Sequence, residues 1–104
     1  MRMIMTNHVL NDRMERMLYI AEHIGWGEVV GEVVGEDNRR WCMTSTGVVL
    51  IKPRNQEVLI TAYVATFPEM QCFYNKLGYS RIPSFMANKA MKNKHHVAIL
   101  AKMY

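Results

Sequence analysis

The sequence predicts an α+β domain: an N-terminal helix packed on an antiparallel sheet of about four strands, with one or two helices at the C-terminal end. Three observations carry that prediction. Apolar residues recur at helical spacing near the N terminus, strand-like alternation punctuated by tight turns fills the middle, and helical spacing returns behind a capping pair at Thr66. A helix, then a meander of strands, then helices segregates the two element types as α+β folds do. At 104 residues the chain has the length of a single domain spanning 1–104, enough for one modest core.

The first helix is read from Leu10, Met14, Met17, Leu18, Ala21 and Ile24, with Thr6 or Asn7 as its cap and Gly25 as its stop. "WGEVVGEVVGEDNRR" holds too much glycine for a good helix, and its β-branched valines favour a short, kinked edge strand over Glu28 to Val34. Arg40 to Thr44 and Val48 to Lys52 form two strands joined at "STG", where Gly47 is free to adopt positive φ. After the break at "PRNQ", Glu57 to Ala65 is expected to be the longest and most apolar strand. Thr66 and Glu69 then stand in capping-box relation, opening a helix from Phe67 to Leu77 whose buried stripe is Met70, Phe73, Tyr74 and Leu77. Pro83 suits a first helical turn and Ser84 to Lys92 a helix, while "HHVAILAKMY" reads as a continuation or as a final strand, with a short strand or extended end preferred.

Half of the residues are hydrophobic and 21% are charged, which places the chain among globular proteins rather than disordered ones. A net charge of +4 and a pI near 9.3 suit an anionic partner such as RNA and disfavour a nucleic-acid mimic. Cys42 and Cys72, too few for a disulfide scaffold and too far apart for a zinc site, are expected to be reduced and buried. The adjacent His95 and His96 would point about 100° apart on a helix, so no metal site and no cofactor are expected. "MRMIMTNHVL" lacks a small-residue cleavage site, and no run approaches the roughly 20 apolar residues of a membrane span. The expectation is a cytoplasmic protein without a membrane segment.

The informative stretch is "RRWCMTSTGVVLIKPRNQEVLITAYVAT". Alternation puts Val58, Ile60, Ala62 and Val64 on one side of their strand and Thr61 and Tyr63 on the other; in the preceding strand it separates Trp41 and Met43 from Arg40, Cys42, Thr44 and Thr46. If the apolar sides coincide, Arg40, Thr44, Thr46, Thr61 and Tyr63 gather on one surface. That surface is either the solvated back of a small sheet or the floor of a phosphodiester site.

"TNHVLNDRMER", "RRWCMTSTGVVLI" and "EVLITAYV" together resemble the barnase, EndoU, colicin and RelE-like superfamily of small ribonucleases, above all its phage- and toxin-associated branches. The resemblance covers residues 6 to 66. It implies a helix packed on a four-stranded antiparallel sheet and metal-independent RNA cleavage by the substrate's own 2′-OH. It would make His8, Arg40, Thr46, Thr61 and Tyr63 the catalytic set, although a regular helix points His8 away from its apolar stripe. Arg13, Arg16 and the cluster Lys89, Lys92 and Lys94 would contact RNA. It also implies a cognate antitoxin or immunity protein. The alternative is a noncatalytic module of mobile-element origin that binds nucleic acid or protein, and the valine-rich edge strand would favour a homodimer.

Overall fold

The computed structural model describes the backbone of residues 7–103 and the side chains of residues 13–103. The chain runs through α1 (Asn7–His23), β1 (Val29–Val34), β2 (Arg39–Thr44), β3 (Val48–Pro53), β4 (Thr61–Val64), α2 (Phe67–Lys76), α3 (Ser84–Lys92) and α4 (Lys94–Ala101). The four strands form one antiparallel sheet in the order β1-β2-β3-β4, giving the expected α+β arrangement with three helices after the sheet. β1 is kinked, with a register shift between Val29 and Gly31.

Residues paired directly across antiparallel strands share a face. Tyr63, Val49 and Met43 therefore lie on one face, joined by Thr61, Ile51, Trp41 and Val33. Val64 and Val48 lie on the other, with Ala62, Leu50, Cys42 and Glu32 and, further along, Lys52 and Arg40. Both faces are covered. The first packs against α2 and α3, where Met70, Phe73, Tyr74, Met86 and Ala90 complete a core with Met43, Val49 and Ile51. The second packs against α1 and α4, where Ile20 and Leu100 close over Val48, Ala62 and Val64.

This double cover corrects the expected polar face. Thr61 and Tyr63 share their face with Trp41 and Met43, whereas Arg40 and Thr44 belong to the opposite one. Alternation fixes which residues of a strand point together, but not which face meets water. The strand expected to be longest is the shortest, Thr61–Val64; of the backbone before it, Ile60 N–H still donates to the Ile51 carbonyl (2.8 Å), and arginine side chains hold other carbonyls of the connection. Arg40 Nε and Nη2 donate to the carbonyls of Pro53 (3.1 Å) and Gln56 (2.7 Å), and Arg13 Nη1 donates to that of Ile60 (2.9 Å). Ile60 consequently packs into the α2/α3 core while Ala62 and Val64 enter the other.

The first helix buries Met17 and Ile20, with Ile24 half-buried beyond its end; Met14, Leu18 and Ala21, expected in its stripe, are exposed. Two apolar stripes overlap on this helix, and the sheet takes the one that carries Met17 and Ile20 and leads to Ile24. Leu10 and the proposed cap Thr6 lie outside the described side chains. α2 has the predicted capping box, with Glu69 N–H bonded to Thr66 Oγ1 and Thr66 N–H to Glu69 Oε1, and Gly78 follows it at φ 94°. Cys72, within the same helix, is exposed rather than buried, since it falls outside the inward stripe of Met70, Phe73 and Tyr74. The C-terminal segment is helix α4, not a strand: Val97 and Leu100, at i and i+3, face the core beside α1.

The β2–β3 turn is buried beneath the junction of α3 and α4. Thr44 Oγ1 accepts from Val48 N–H (3.2 Å) and meets Thr46 Oγ1 (3.1 Å), which donates to the Gly25 carbonyl (2.8 Å). Gly47 sits at φ 83°, and a Cβ there would come within 3.0 Å of Asn93 Nδ2. Asn93, buried between the two helices, donates that amide to the Thr46 carbonyl at 2.8 Å. Asn93→Ala should leave this carbonyl unsatisfied and cost about 1–3 kcal/mol in urea unfolding, while Asn88→Ala on the exposed side of α3 should stay within about 0.5 kcal/mol.

Candidate nucleic-acid interface

Of the residues expected to form a catalytic set, Thr61 and Tyr63 share one face of the sheet, Arg40 lies on the other and Thr46 in the β2–β3 turn. The His8 side chain lies outside the described residues. Arg40 sits at the open end of the α1/α4 face, in a network with Glu57 (2.7 Å) and Glu32 (3.8 Å) that Lys52 joins at 3.0 Å from Glu57. The hydrogen bond to Glu57 raises the Arg40 pKa, and those from Lys52 and Arg40 lower that of Glu57. Thr46 is tied into the buried turn at the opposite end of β2. Thr61 is half-buried opposite Ile51 on the other face. Burial pushes the Tyr63 phenol up to about 12, so it stays protonated at neutral pH and cannot act as a general base there.

Arg13 and Arg16 are half-buried against the β4 side of the sheet rather than displayed. Burial, and then the Arg13 charge, lowers the Arg16 pKa. Arg13 is anchored by its bond to the Ile60 carbonyl, and Arg16 lines a shallow cleft with Tyr63, Val64, Thr66 and Leu100.

Four aromatic side chains meet where α1 packs on α4. Tyr19 and His23, one turn apart on α1, stack with ring centroids 4.5 Å apart, and the Tyr19 hydroxyl lies 2.7 Å from His96 Nδ1. His95 turns its ring to within 3.8 Å of that of His96, closer than the divergence expected of helix neighbours. The arrangement is an acid–base cluster of imidazoles; no group of metal-ligand geometry occurs among the described residues. Burial, then His95 and His23, lowers the His96 pKa and so favours the neutral ring, which is hydrogen-bonded with the Tyr19 hydroxyl.

The cations expected to contact RNA present a different picture. Lys92 and Lys94 are exposed, and the stem of the half-buried Lys89 lies beside Gly47. Residues 70–104 contain Lys76, Arg81, Lys89, Lys92, Lys94 and Lys102 and no Asp or Glu; all nine carboxylate side chains precede them. None of these six forms an ion pair among the described residues. On α3, Phe85, Asn88, Lys89 and Lys92 fall at i, i+3, i+4 and i+7, so one outward face carries an aromatic ring 55% exposed, an amide and two ammonium groups. Lys89 and Lys92 also complement the C-terminal end of the α3 dipole, but Lys94 stands in the first turn of α4, where a cation is disfavoured. Phe85 and Arg81 were missed in the sequence; the acid-free run from residue 70 and the helical spacing of Phe85 with Lys89 and Lys92 are the signals that expose them.

No family model, curated protein or solved structure matches the chain. No helix among the described residues is long and apolar enough to cross a membrane.

The lowered pKa of His96 links stability to pH. Because the folded-state pKa of His96 lies below the ordinary 6.5, the unfolded chain takes up the proton first as pH falls. The stability of the α1–α4 contact is therefore complete above about 6.5 and declines as pH drops through the folded value. The urea midpoint should fall between pH 7.5 and 5.5, and His96→Asn should flatten that dependence; an unchanged profile would remove His96 from the contact.

Proposed function

We infer that the chain is a noncatalytic binding module for single-stranded nucleic acid, RNA in particular, with its interface on the outer face of α3 and the α3–α4 corner. The observation that carries this reading is the acid-free C-terminal segment, whose cations are unpaired among the described residues and are interleaved on one helix face with an exposed phenylalanine. Unpaired lysines near one another concentrate positive potential, which speeds encounter with a polyanion and supplies affinity when condensed counterions are released. An exposed ring beside them gives a base something to stack on, and stacking tolerates any sequence.

Cleavage by 2′-OH attack needs a base, an acid and a cation around one phosphate. Arg40 and Thr46 lie apart from each other and from the Thr61–Tyr63 pair, and the guanidinium is already paired with two glutamates. A metal-independent ribonuclease remains the second reading for one reason: His23, His95 and His96, beside Lys94, form an acid–base cluster elsewhere on the chain.

Fluorescence anisotropy with labelled single-stranded RNA tests the first reading. The logarithm of affinity should fall linearly with the logarithm of salt, and replacing Lys89, Lys92 and Lys94 together by Ala should reduce the slope by about 2, at about 0.7 per phosphate contact. Salt-independent binding, or a slope untouched by the triple variant, would contradict it. RNA incubated with the protein in EDTA should remain intact. A 2′,3′-cyclic phosphate product, lost in His96→Asn, would establish the ribonuclease instead.

A further inference from the structure

On the α2/α3 side of the sheet, a groove of about 260 Å³ opens between α2 and strands β1, β2 and β4. Its walls are apolar and aromatic: Val33, Trp41, Tyr63 and Phe73, with Trp41 and Tyr63 edge to face at 6.1 Å between ring centroids. Cys72, Glu69 and Lys76 complete the lining from α2, and Lys76 and Trp41 continue into a shallower trough along Gly35 to Asp37. The indole is seated by a glycine. A Cβ at position 35 would lie 2.8 Å from both Trp41 Nε1 and Asp37 Oδ1, so a side chain there would force the indole or the carboxylate to shift.

The polar atoms of this groove are predominantly donors without protein acceptors. The Trp41 indole N–H and the Tyr63 hydroxyl make no hydrogen bond among the described residues, although half-buried Trp and Tyr ordinarily find one. Lys76 adds an ammonium with no ion pair. Glu69 Oε1 is occupied by the backbone N–H and hydroxyl of Thr66. A purely apolar occupant would leave the donors desolvated and unsatisfied, and the opposite charges of Lys76 and Glu69 in the lining give no net preference for a cation. Flat aromatic walls with convergent donors fit a flat ligand that carries acceptors. The volume lies below the range of drug-sized pockets and accommodates one ring system.

We propose that this groove binds a single planar heteroaromatic ring of nucleobase type, packed against Trp41 and Tyr63 with its acceptor atoms hydrogen-bonded by the Tyr63 hydroxyl and the Lys76 ammonium. The ring comes either from a free nucleotide or from an unstacked base of a bound strand; only the second source rests on the nucleic-acid reading above.

Trp41 reports its own occupancy. In a Trp26→Phe chain it is the sole tryptophan, and adenosine and uridine monophosphates should quench its emission saturably while ribose 5-phosphate does not. Should Trp26→Phe fail to fold, the Trp41 indole N–H resonance of the wild-type chain gives the same reading by its shift. Tyr63→Phe keeps the ring and should weaken mononucleotide binding about fivefold or more, and Gly35→Ala should weaken it by crowding the indole. Quenching by mononucleotides without anisotropy change on labelled RNA would retain the groove as a nucleotide site and overturn the strand-binding interface. RNA binding by anisotropy without any Trp41 response, to strand or to mononucleotide, would overturn the groove alone. Equal quenching by ribose 5-phosphate would overturn ring recognition.

Discussion

Val48 and Val49 are consecutive residues of one strand, so their side chains point to opposite faces of the sheet, yet they are 0% and 1% exposed. That pair sets the architecture. A sheet with an apolar residue on each face at adjacent positions cannot keep a wet side, and the chain must supply helices to both. α1 and α4 come from opposite ends of the described chain to cover Val48, while α2 and α3 cover Val49. The two cores are small and separate, and the central strand β3 belongs to each.

Double cover decides where function can lie. Hydroxyls and amides near the sheet are drawn inward, where burial makes each hydrogen bond obligatory. The Thr44, Thr46, Gly25 and Asn93 contacts thus pin the β2–β3 turn to the α3–α4 junction instead of meeting a ligand. Where the α1/α4 face does open, at Arg40 and Lys52, two glutamates balance two cations. The C-terminal helices carry cations with no acidic residue among residues 70–104, and the groove between α2 and the sheet holds the Trp41 and Tyr63 donors without a protein acceptor among the described residues. The fold is a sheet coated by helices on both faces, and the surfaces proposed for recognition lie on that coat.

The fold was legible where a local rule dictates it. Thr66 and Glu69 announce the capping box, Gly47 and Gly78 the positive-φ turns, and the strand boundaries near Arg40, Thr44 and Val48 follow from turn chemistry. Three features depend on contacts distant in sequence and were not legible. The face shared by Thr61 and Tyr63 is set by pairing with β3, the irregular path before β4 by Arg40 and Arg13, and the helical state of the C-terminal segment by its packing beside α1. "VVLI" was the available sign of two-sided burial, since a continuous apolar run in a strand leaves no face for water. Of the candidate site, Lys89, Lys92 and Lys94 were visible as a cluster, but only the placement of Phe85 beside them gives that cluster a shape.

The double cover is tested most directly by nuclear Overhauser contacts from the methyl groups of Val48 and Val49 in the isotopically labelled protein. The account predicts that Val48 contacts Ile20 or Leu100 of α1 and α4, that Val49 contacts Met70 or Met86 of α2 and α3, and that a soluble paramagnetic agent broadens neither. Broadening of the Val48 or Val49 methyls, with loss of contacts to one helix pair, would mean that one face of the sheet meets solvent and would contradict it.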